Sequence, residues 1–150
     1  MLQQSTLDFI RELEGSKSRA YKDVAGLDTI GVGHLITSGE KSLLSKALSD
    51  KEIDELLLSD LKPVEAAIAA QVKIALSQNS FDALASFVFN VGLGAFKKST
   101  LLKKINAGKA AEEITKEFMK WVKAGGKTVT GLQNRRAKEA ERYCKVMDKL

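Results

Sequence analysis

The apolar residues of this 150-residue chain recur mostly three or four positions apart, the spacing of one face of a helix. A first helix is predicted over residues 4–14, and its apolar face comprises Leu7, Ile10 and Leu13. Ser5 or Thr6 is expected to cap its start, because a hydroxyl can accept hydrogen bonds from the first turn. Gly15, which tolerates a positive φ, is expected to end it.

Residues 21–36 depart from helical spacing. Gly26, Gly31 and Gly33 stand among valine, isoleucine, threonine and leucine, a composition typical of short strands joined by tight turns. We therefore predict a small β-hairpin soon after the first helix.

A long helix is predicted from Ser49 to Val72. Ser49 and Glu52 stand three residues apart at its start, so each side chain can accept a hydrogen bond from the backbone N–H of the other residue. Pro63 lies inside this helix, where it lacks a backbone N–H and presses on the preceding turn. We expect a kink there rather than two separate helices.

A strongly apolar helix is predicted over residues 81–91, with Asn79 or Ser80 as its cap and Gly92 as its end. Its expected core positions are Phe81, Leu84, Ala85, Val88 and Phe89. Further helices are predicted over residues 99–108, over residues 110–123 with Phe118, Trp121 and Val122 buried, and from Thr130 onward.

These elements predict a single α+β domain, 1–150, that is mainly helical. A small N-terminal β-hairpin lobe of about residues 15–60 is expected to be joined by the long helix to a helical C-terminal lobe. The helical lobe takes about residues 72–150 together with the first helix, 4–14. A cleft between two such lobes would be the natural place for a ligand.

The charge of the chain favours polyanionic partners only weakly. It carries 24 basic and 19 acidic residues, a net charge of +5, but the basic clusters alternate with apolar positions as on the solvated face of a helix. No nucleic-acid recognition motif or aromatic ladder is present, so no nucleic-acid partner is expected. No apolar run is long enough to span a membrane and no signal peptide begins the chain, so stable membrane insertion is not expected either.

Glu14, Asp23 and Thr29 are the candidate catalytic residues. Cleavage of a glycosidic bond needs one carboxyl group that protonates the leaving oxygen and an ionised one that directs water or stabilises the sugar cation. A hydroxyl beside the second acid could help to hold the water. Their spacing alone is weak evidence, because the chain has 19 carboxylates and such pairs are common.

His34 is the single histidine of the chain, and no second histidine, cysteine or acid stands at metal-ligand spacing from it. We therefore expect a structural hydrogen bond or ion pair at His34, with no metal site and no cofactor.

Six segments of the chain together carry a more specific pattern. They are Glu14-Gly15, Tyr21-Lys22-Asp23, Thr29-Ile30-Gly31-Val32-Gly33-His34, and the stretches 81–92, 94–102 and 131–136. In this order and spacing they resemble the phage-type lysozymes, the T4-like and lambdoid endolysins of glycoside hydrolase family 24. The resemblance spans nearly the whole chain.

This resemblance implies a lysozyme-like fold and a hydrolase that cleaves the β-1,4 bond between N-acetylmuramic acid and N-acetylglucosamine in peptidoglycan, which lyses bacterial cells. It makes Glu14 the general acid, with Asp23 and Thr29 positioning the attacking water. It also implies that Arg135 pairs with Glu14. Cleft positions that contact sugar are implied, more weakly, at Leu35, Phe89 and Ser99.

Charge complementarity and the same resemblance predict that His34 pairs with Asp60 on the long helix, which should raise the pKa of the histidine. The implied partner is the peptidoglycan polysaccharide, and the protein is expected to be a monomer. Without a signal peptide, it is expected to accumulate in the host cytoplasm and to reach the wall after the membrane has been permeabilised.

Three alternatives remain open. A silent wall-binding or scaffold protein could keep the fold, although the intact candidate triad of Glu14, Asp23 and Thr29 argues against it. A nucleic-acid binder is suggested only by the isoelectric point. A transglycosylase that forms an anhydro-sugar also uses a single acid, but it has no need of an aspartate and a threonine around a water.

Overall fold

The structure, a computed structural model, describes residues 1–145 and contains two compact units. The N-terminal unit is Leu2–Lys62, and the C-terminal unit comprises Met1 and the chain from Pro63. The boundary therefore falls inside one long helix. Residues 4–14, which we grouped with the helical lobe, lie in the N-terminal unit of this division. The two-lobe arrangement itself stays a prediction.

The N-terminal unit combines helices with a small antiparallel sheet of strand order β1-β2-β3. Its elements are helix α1 (Gln4–Glu14), strands β1 (Lys17–Lys22), β2 (Asp28–Gly31) and β3 (His34–Leu35), a 3₁₀ segment (Ser38–Ser45) and the first part of helix α2 (Asp50–Gln71). The predicted hairpin is confirmed, but β1 begins earlier than expected. The first residues of β1 are exposed and polar on both faces, so the apolar pattern gives no sign of them.

The start of α1 differs from the prediction. Gln3 is the capping residue, and its backbone N–H donates to Thr6 Oγ1 at 3.2 Å. The Thr6 hydroxyl therefore accepts a hydrogen bond from the capping residue and is not itself the cap. The predicted end is confirmed, since Gly15 lies at φ 75° and its N–H donates to the carbonyl of Arg11 at 2.8 Å.

The predicted start of α2 is confirmed. The Ser49 N–H donates to Glu52 Oε1 at 3.0 Å, and the Glu52 N–H donates to Ser49 Oγ at 3.1 Å. Pro63 lies within one uninterrupted helix, as expected. The kink at Pro63 stays a prediction.

The C-terminal unit is mainly helical. After the rest of α2 it contains α3 (Gln78–Val91), α4 (Leu93–Lys98), α5 (Thr100–Asn106), α6 (Ala111–Phe118), the hairpin strands β4 (Lys123–Ala124) and β5 (Lys127–Thr128), and α7 (Thr130–Cys144). With both units described, the predicted α+β, mainly helical class is confirmed.

The helix predicted over residues 110–123 is shorter in the structure, because a hairpin follows it. Gly125 and Gly126 lie at φ 60° and 79°, the conformations that a two-residue turn between antiparallel strands requires. Trp121 and Val122 therefore lie outside α6 and are only half-buried, whereas Phe118 is fully buried as expected.

The core of the C-terminal unit is built on α3, which packs against α7 and is buried from Ser80 to Val88. The Phe87 ring meets those of Phe118 and Trp121 edge to face, with both centroid distances 5.4 Å. Among the predicted core positions of this helix, only Phe89 is half-buried rather than buried, because it lies in the last turn before Gly92.

The start of α3 gives a prediction about stability. Its cap is Ser77 rather than Asn79 or Ser80, and Ser77 Oγ accepts from the Ser80 N–H at 3.0 Å. We expect Ser77→Ala to lower the free energy of unfolding by about 1 kcal/mol, because an N–H of the first turn loses its partner. Asn79→Ala, the matched control, should change it by less than about 0.5 kcal/mol. Chemical denaturation measures both changes, and equal losses of unfolding free energy in the two variants would contradict Ser77 as the cap.

Candidate active site

Glu14 is the last residue of α1 and lies at the mouth of a small cavity in the N-terminal unit. The cavity has a volume of about 200 Å³ and is lined by Glu14, Gly15, Ser16, Lys17, Tyr21 and Gly31. The end of α1, the start of β1 and the end of β2 thus line one cavity together.

Asp23 lies in the turn between β1 and β2, and its carboxylate holds that turn together. Asp23 Oδ1 accepts from the backbone N–H groups of Ala25 and Leu27, both at 2.9 Å. The second carboxylate oxygen, Oδ2, takes no hydrogen bond from residues 1–145. The carboxylate is thus fixed in orientation and keeps one oxygen for another donor.

Thr29 is linked to Asp23 through the backbone of Leu27. The Thr29 side chain is buried, and its hydroxyl donates to the Leu27 carbonyl at 2.9 Å. The same carbonyl accepts from the Asp23 N–H, also at 2.9 Å. The structure therefore brings Asp23 and Thr29 together on one turn, with the hydroxyl proton of Thr29 directed at the Leu27 carbonyl.

His34, in β3, lies between two carboxylates. Its Nδ1 is 2.8 Å from Asp60 Oδ2, so the predicted contact is present. Its Nε2 is 2.9 Å from Glu40 Oε1, a partner that the sequence analysis missed. Thr37 and Glu40 stand three residues apart, and this capping pattern at the start of the 3₁₀ segment is the signal that could have drawn attention to Glu40.

The surroundings of this cluster shift two pKa values. Burial lowers the pKa of His34, but the hydrogen bonds and charges of Glu40 and Asp60 outweigh it, so the pKa is raised above 6.5. The Thr37 N–H, followed by the His34 ring and the Thr37 hydroxyl, lowers the pKa of Glu40 to about 2. The charged forms of both groups are therefore favoured by folding.

Arg135, in α7, is nearly buried within the C-terminal unit. Its Nε donates to Glu139 Oε2 at 3.1 Å, and its Nη2 donates to the Ser86 carbonyl at 3.0 Å. Glu139 is fully buried and accepts from Arg136 through its other oxygen. The predicted pairing of Arg135 with Glu14 stays a prediction.

Glu139 is a buried partner of both arginines that was not predicted from the sequence. Glu139 lies four residues after Arg135 and three residues after Arg136, the spacings at which side chains meet on a helix. The sequence therefore contained a signal for this contact. Ser86 adds its own hydroxyl, which donates to Glu139 Oε2 at 2.5 Å. Arg136 also donates to Asn90 Oδ1 and to the Trp121 carbonyl, so its guanidinium is hydrogen-bonded to three groups of the C-terminal unit.

The three predicted sugar contacts differ in their surroundings. The Leu35 side chain is half exposed on β3, and Phe89 is half-buried on α3. Ser99 is buried, and its hydroxyl caps α5: it donates to the Phe96 carbonyl at 2.7 Å and accepts from the Leu102 N–H at 3.0 Å. Its hydrogen-bonding capacity is thus largely used within the fold. All three sugar contacts stay predictions.

Comparison with known proteins identifies the family. The sequence matches the family model of phage lysozyme over residues 11–139. The chain belongs to the phage lysozyme family. It is 38% identical over 140 residues to the endolysin of Bacillus phage PZA, covering 92% of this chain and 53% of that protein. It is 43% identical over 137 residues to the SAR-endolysin of Escherichia phage Mu, covering 91% and 77%.

The fold agrees with this membership. A crystal structure of a P22 lysozyme mutant superposes with a TM-score of 0.87 at 33% identity, covering 95% of this chain and 97% of that one. The lysozyme-like fold is therefore confirmed. The chain spans about half the length of the two Bacillus phage endolysins that it matches. Within residues 1–145, no helix combines the length and the apolar character needed to cross a membrane.

The contacts of His34 with Glu40 and Asp60 predict a defined pH dependence of stability. Because folding raises the pKa of His34, its contribution is complete below pH 6.5 and is lost as the pH rises through the folded value. Because folding lowers the pKa of Glu40, its contribution is complete above pH 4.5 and is lost as the pH falls toward 2. The free energy of unfolding that His34→Asn removes should therefore be largest between pH 4.5 and pH 6.5.

Urea denaturation of wild type and His34→Asn across this range measures that difference. Lys41→Met, an exposed change in the 3₁₀ segment, is the control and should keep the wild-type pH dependence. A His34→Asn difference that stays constant with pH would rule out the charged cluster as its source.

Proposed function

We propose that the chain is a muramidase of the endolysin type, which hydrolyses the β-1,4 bond between N-acetylmuramic acid and N-acetylglucosamine in peptidoglycan and so lyses bacteria. One observation carries the proposal. In a chain of the phage lysozyme family, Glu14 lines a cavity, and the Asp23 carboxylate is held on the turn between β1 and β2. One oxygen of that carboxylate accepts no hydrogen bond within residues 1–145. This is the pair of carboxyl groups that hydrolysis of a glycosidic bond requires.

The hydrogen bonds of the turn indicate how each residue would act. Glu14 donates its proton to the leaving glycosidic oxygen. Asp23 Oδ2 accepts a proton from the attacking water while Oδ1 stays bonded to the turn. The Thr29 hydroxyl donates its hydrogen bond to the Leu27 carbonyl. Its oxygen can therefore accept a hydrogen bond from the second proton of the same water. Two acceptors thus orient one water.

Arg135 is proposed to pair with Glu14 in the free enzyme. Its guanidinium is oriented by Glu139 and Ser86, which take its Nε and Nη2 hydrogen bonds and so fix the plane of the group. Substrate that displaces this pairing and excludes water would favour the protonated form of the acid. Contacts of Leu35, Phe89 and Ser99 with sugar belong to the same proposal.

The proposed partner is the peptidoglycan polysaccharide, whose stem peptides carry carboxylates that the net charge of +5 attracts. The proposed working form is a monomer. We propose that it accumulates in the host cytoplasm and reaches the wall once the membrane has been permeabilised.

Replacement of the proposed acid tests the reaction. Glu14→Gln keeps the shape of the side chain but cannot donate a proton, so hydrolysis of purified peptidoglycan should slow by at least about 10². The free energy of unfolding should change by less than about 1 kcal/mol, because the lost attraction to Arg135 and the relieved repulsion from Asp23 oppose each other. Glu12→Gln, an exposed change on the same helix, is the control and should keep wild-type activity. A folded and fully active Glu14→Gln would refute the assignment.

The stereochemistry of the product tests the role of Asp23. If Asp23 directs water, its carboxyl should lie about 6.5 to 9.5 Å from that of Glu14, and the new reducing end should have the inverted anomeric configuration. Proton NMR of the first product formed from a soluble glycan fragment measures this configuration. A retained anomer, or a sugar trapped covalently on Asp23, would show that the aspartate attacks the sugar itself.

A further inference from the structure

The cavity at Glu14 also holds a lysine and a tyrosine that the proposed mechanism does not use. Lys17 and Tyr21 both line it, and the Lys17 ammonium lies over the Tyr21 ring, 6.0 Å from its centroid. An aromatic face attracts a cation in this geometry. The ring therefore favours positions of the ammonium at the cavity that Glu14 also lines.

Lys17 is placed at the cavity without an anionic partner of its own among residues 1–145, unlike Lys22 and Lys46. Lys22 pairs with Asp28 at 2.7 Å, and Lys46 pairs with Glu52 at 2.5 Å. Within residues 1–145 the Lys17 ammonium forms no ion pair, and its side chain is exposed. A cation that is positioned by a ring and not neutralised is available to an anion of the ligand.

The proposed substrate supplies such an anion at this place. The sugar that loses its bond is the muramic acid residue, and that residue carries the stem peptide with its carboxylates. When the scissile glycosidic bond lies at Glu14, the stem peptide on the same muramic acid residue begins only a few covalent bonds away. A lysine side chain is a mobile point charge on a four-carbon stem, which suits a flexible peptide.

We propose that Lys17, supported by Tyr21, binds a stem-peptide carboxylate of the muramic acid residue undergoing cleavage. The inference rests on the proposed function and assigns part of its substrate specificity to β1. It makes the enzyme favour glycan strands that carry charged peptides over uncharged ones. Lys17 is a substrate-binding residue in this account and takes no part in the transfer of protons.

Two variants separate a specific contact from general attraction by a basic protein. Lys17→Met removes the ammonium at the cavity, and Lys51→Met removes the same charge from an exposed position on α2 in the same unit. Each is compared with wild type on purified peptidoglycan freed of phosphate polymers. Each is also compared on the same material after its carboxylates have been converted to amides. Lys17→Arg restores the charge in the original position.

On native peptidoglycan, Lys17→Met should raise the half-saturating substrate concentration by about three- to tenfold, with the maximal rate within about twofold of wild type. Lys51→Met should change the half-saturating concentration by less than twofold. Lys17→Arg should return it most of the way to the wild-type value. On the amidated material, wild type and Lys17→Met should be equal. If Lys17 had a merely structural role, the difference between wild type and Lys17→Met would persist on the amidated material.

Two results would overturn the inference. One is an equal effect of Lys17→Met and Lys51→Met, which would mean attraction by net charge alone. The other is an effect of Lys17→Met that persists on amidated peptidoglycan, which would mean that no carboxylate is involved. Failure of the proposed function would look different, because wild type would then release no reducing ends from either material.

Discussion

The candidate site depends on one constraint of the backbone: the chain has to leave α1 directly after Glu14. Gly15 makes this possible at φ 75° and ψ 171°, a combination that is essentially restricted to glycine. A side chain at this position would have free space around it, so the requirement comes from the backbone conformation rather than from a neighbouring group. Because the turn is this short, β1 begins at Lys17, and Tyr21 on the same strand lines the cavity beside the acid.

The two units hold their charged groups in different ways. In the N-terminal unit, the interaction of His34 with its carboxylates depends on pH because folding shifts the pKa values of His34 and Glu40. Because these groups are partly exposed, it contributes modestly to stability. In the C-terminal unit, Glu139 is fully buried, where an unpaired charge would be costly, and two arginines compensate it. The same contacts, with Glu139 of α7 and with Ser86, set the plane of the Arg135 guanidinium.

The sequence predicted what local chemistry determines. Glycine and proline positions, apolar spacing and the Ser49 cap identified most helices, the first hairpin and the end of α1. The hairpin at Gly125 was missed because two short exposed strands have no apolar alternation to reveal them. Glu40 was missed for another reason, because it is significant through His34, a partner that the fold brings to it. Glu139 was overlooked although its helical spacing from Arg135 and Arg136 could be read from the sequence. The proposed roles at Glu14 came from family resemblance, since its spacing to other acids is uninformative.

The identity of the sugar end that the enzyme leaves behind tests the central claim most directly. Purified peptidoglycan is digested to completion, and the soluble fragments are examined by mass spectrometry before and after borohydride reduction. Hydrolysis by water predicts muramic acid at the reducing end, with a gain of two mass units on reduction. Fragments that end in 1,6-anhydromuramic acid and resist reduction would contradict the account, because no water would then have been positioned by Asp23 and Thr29.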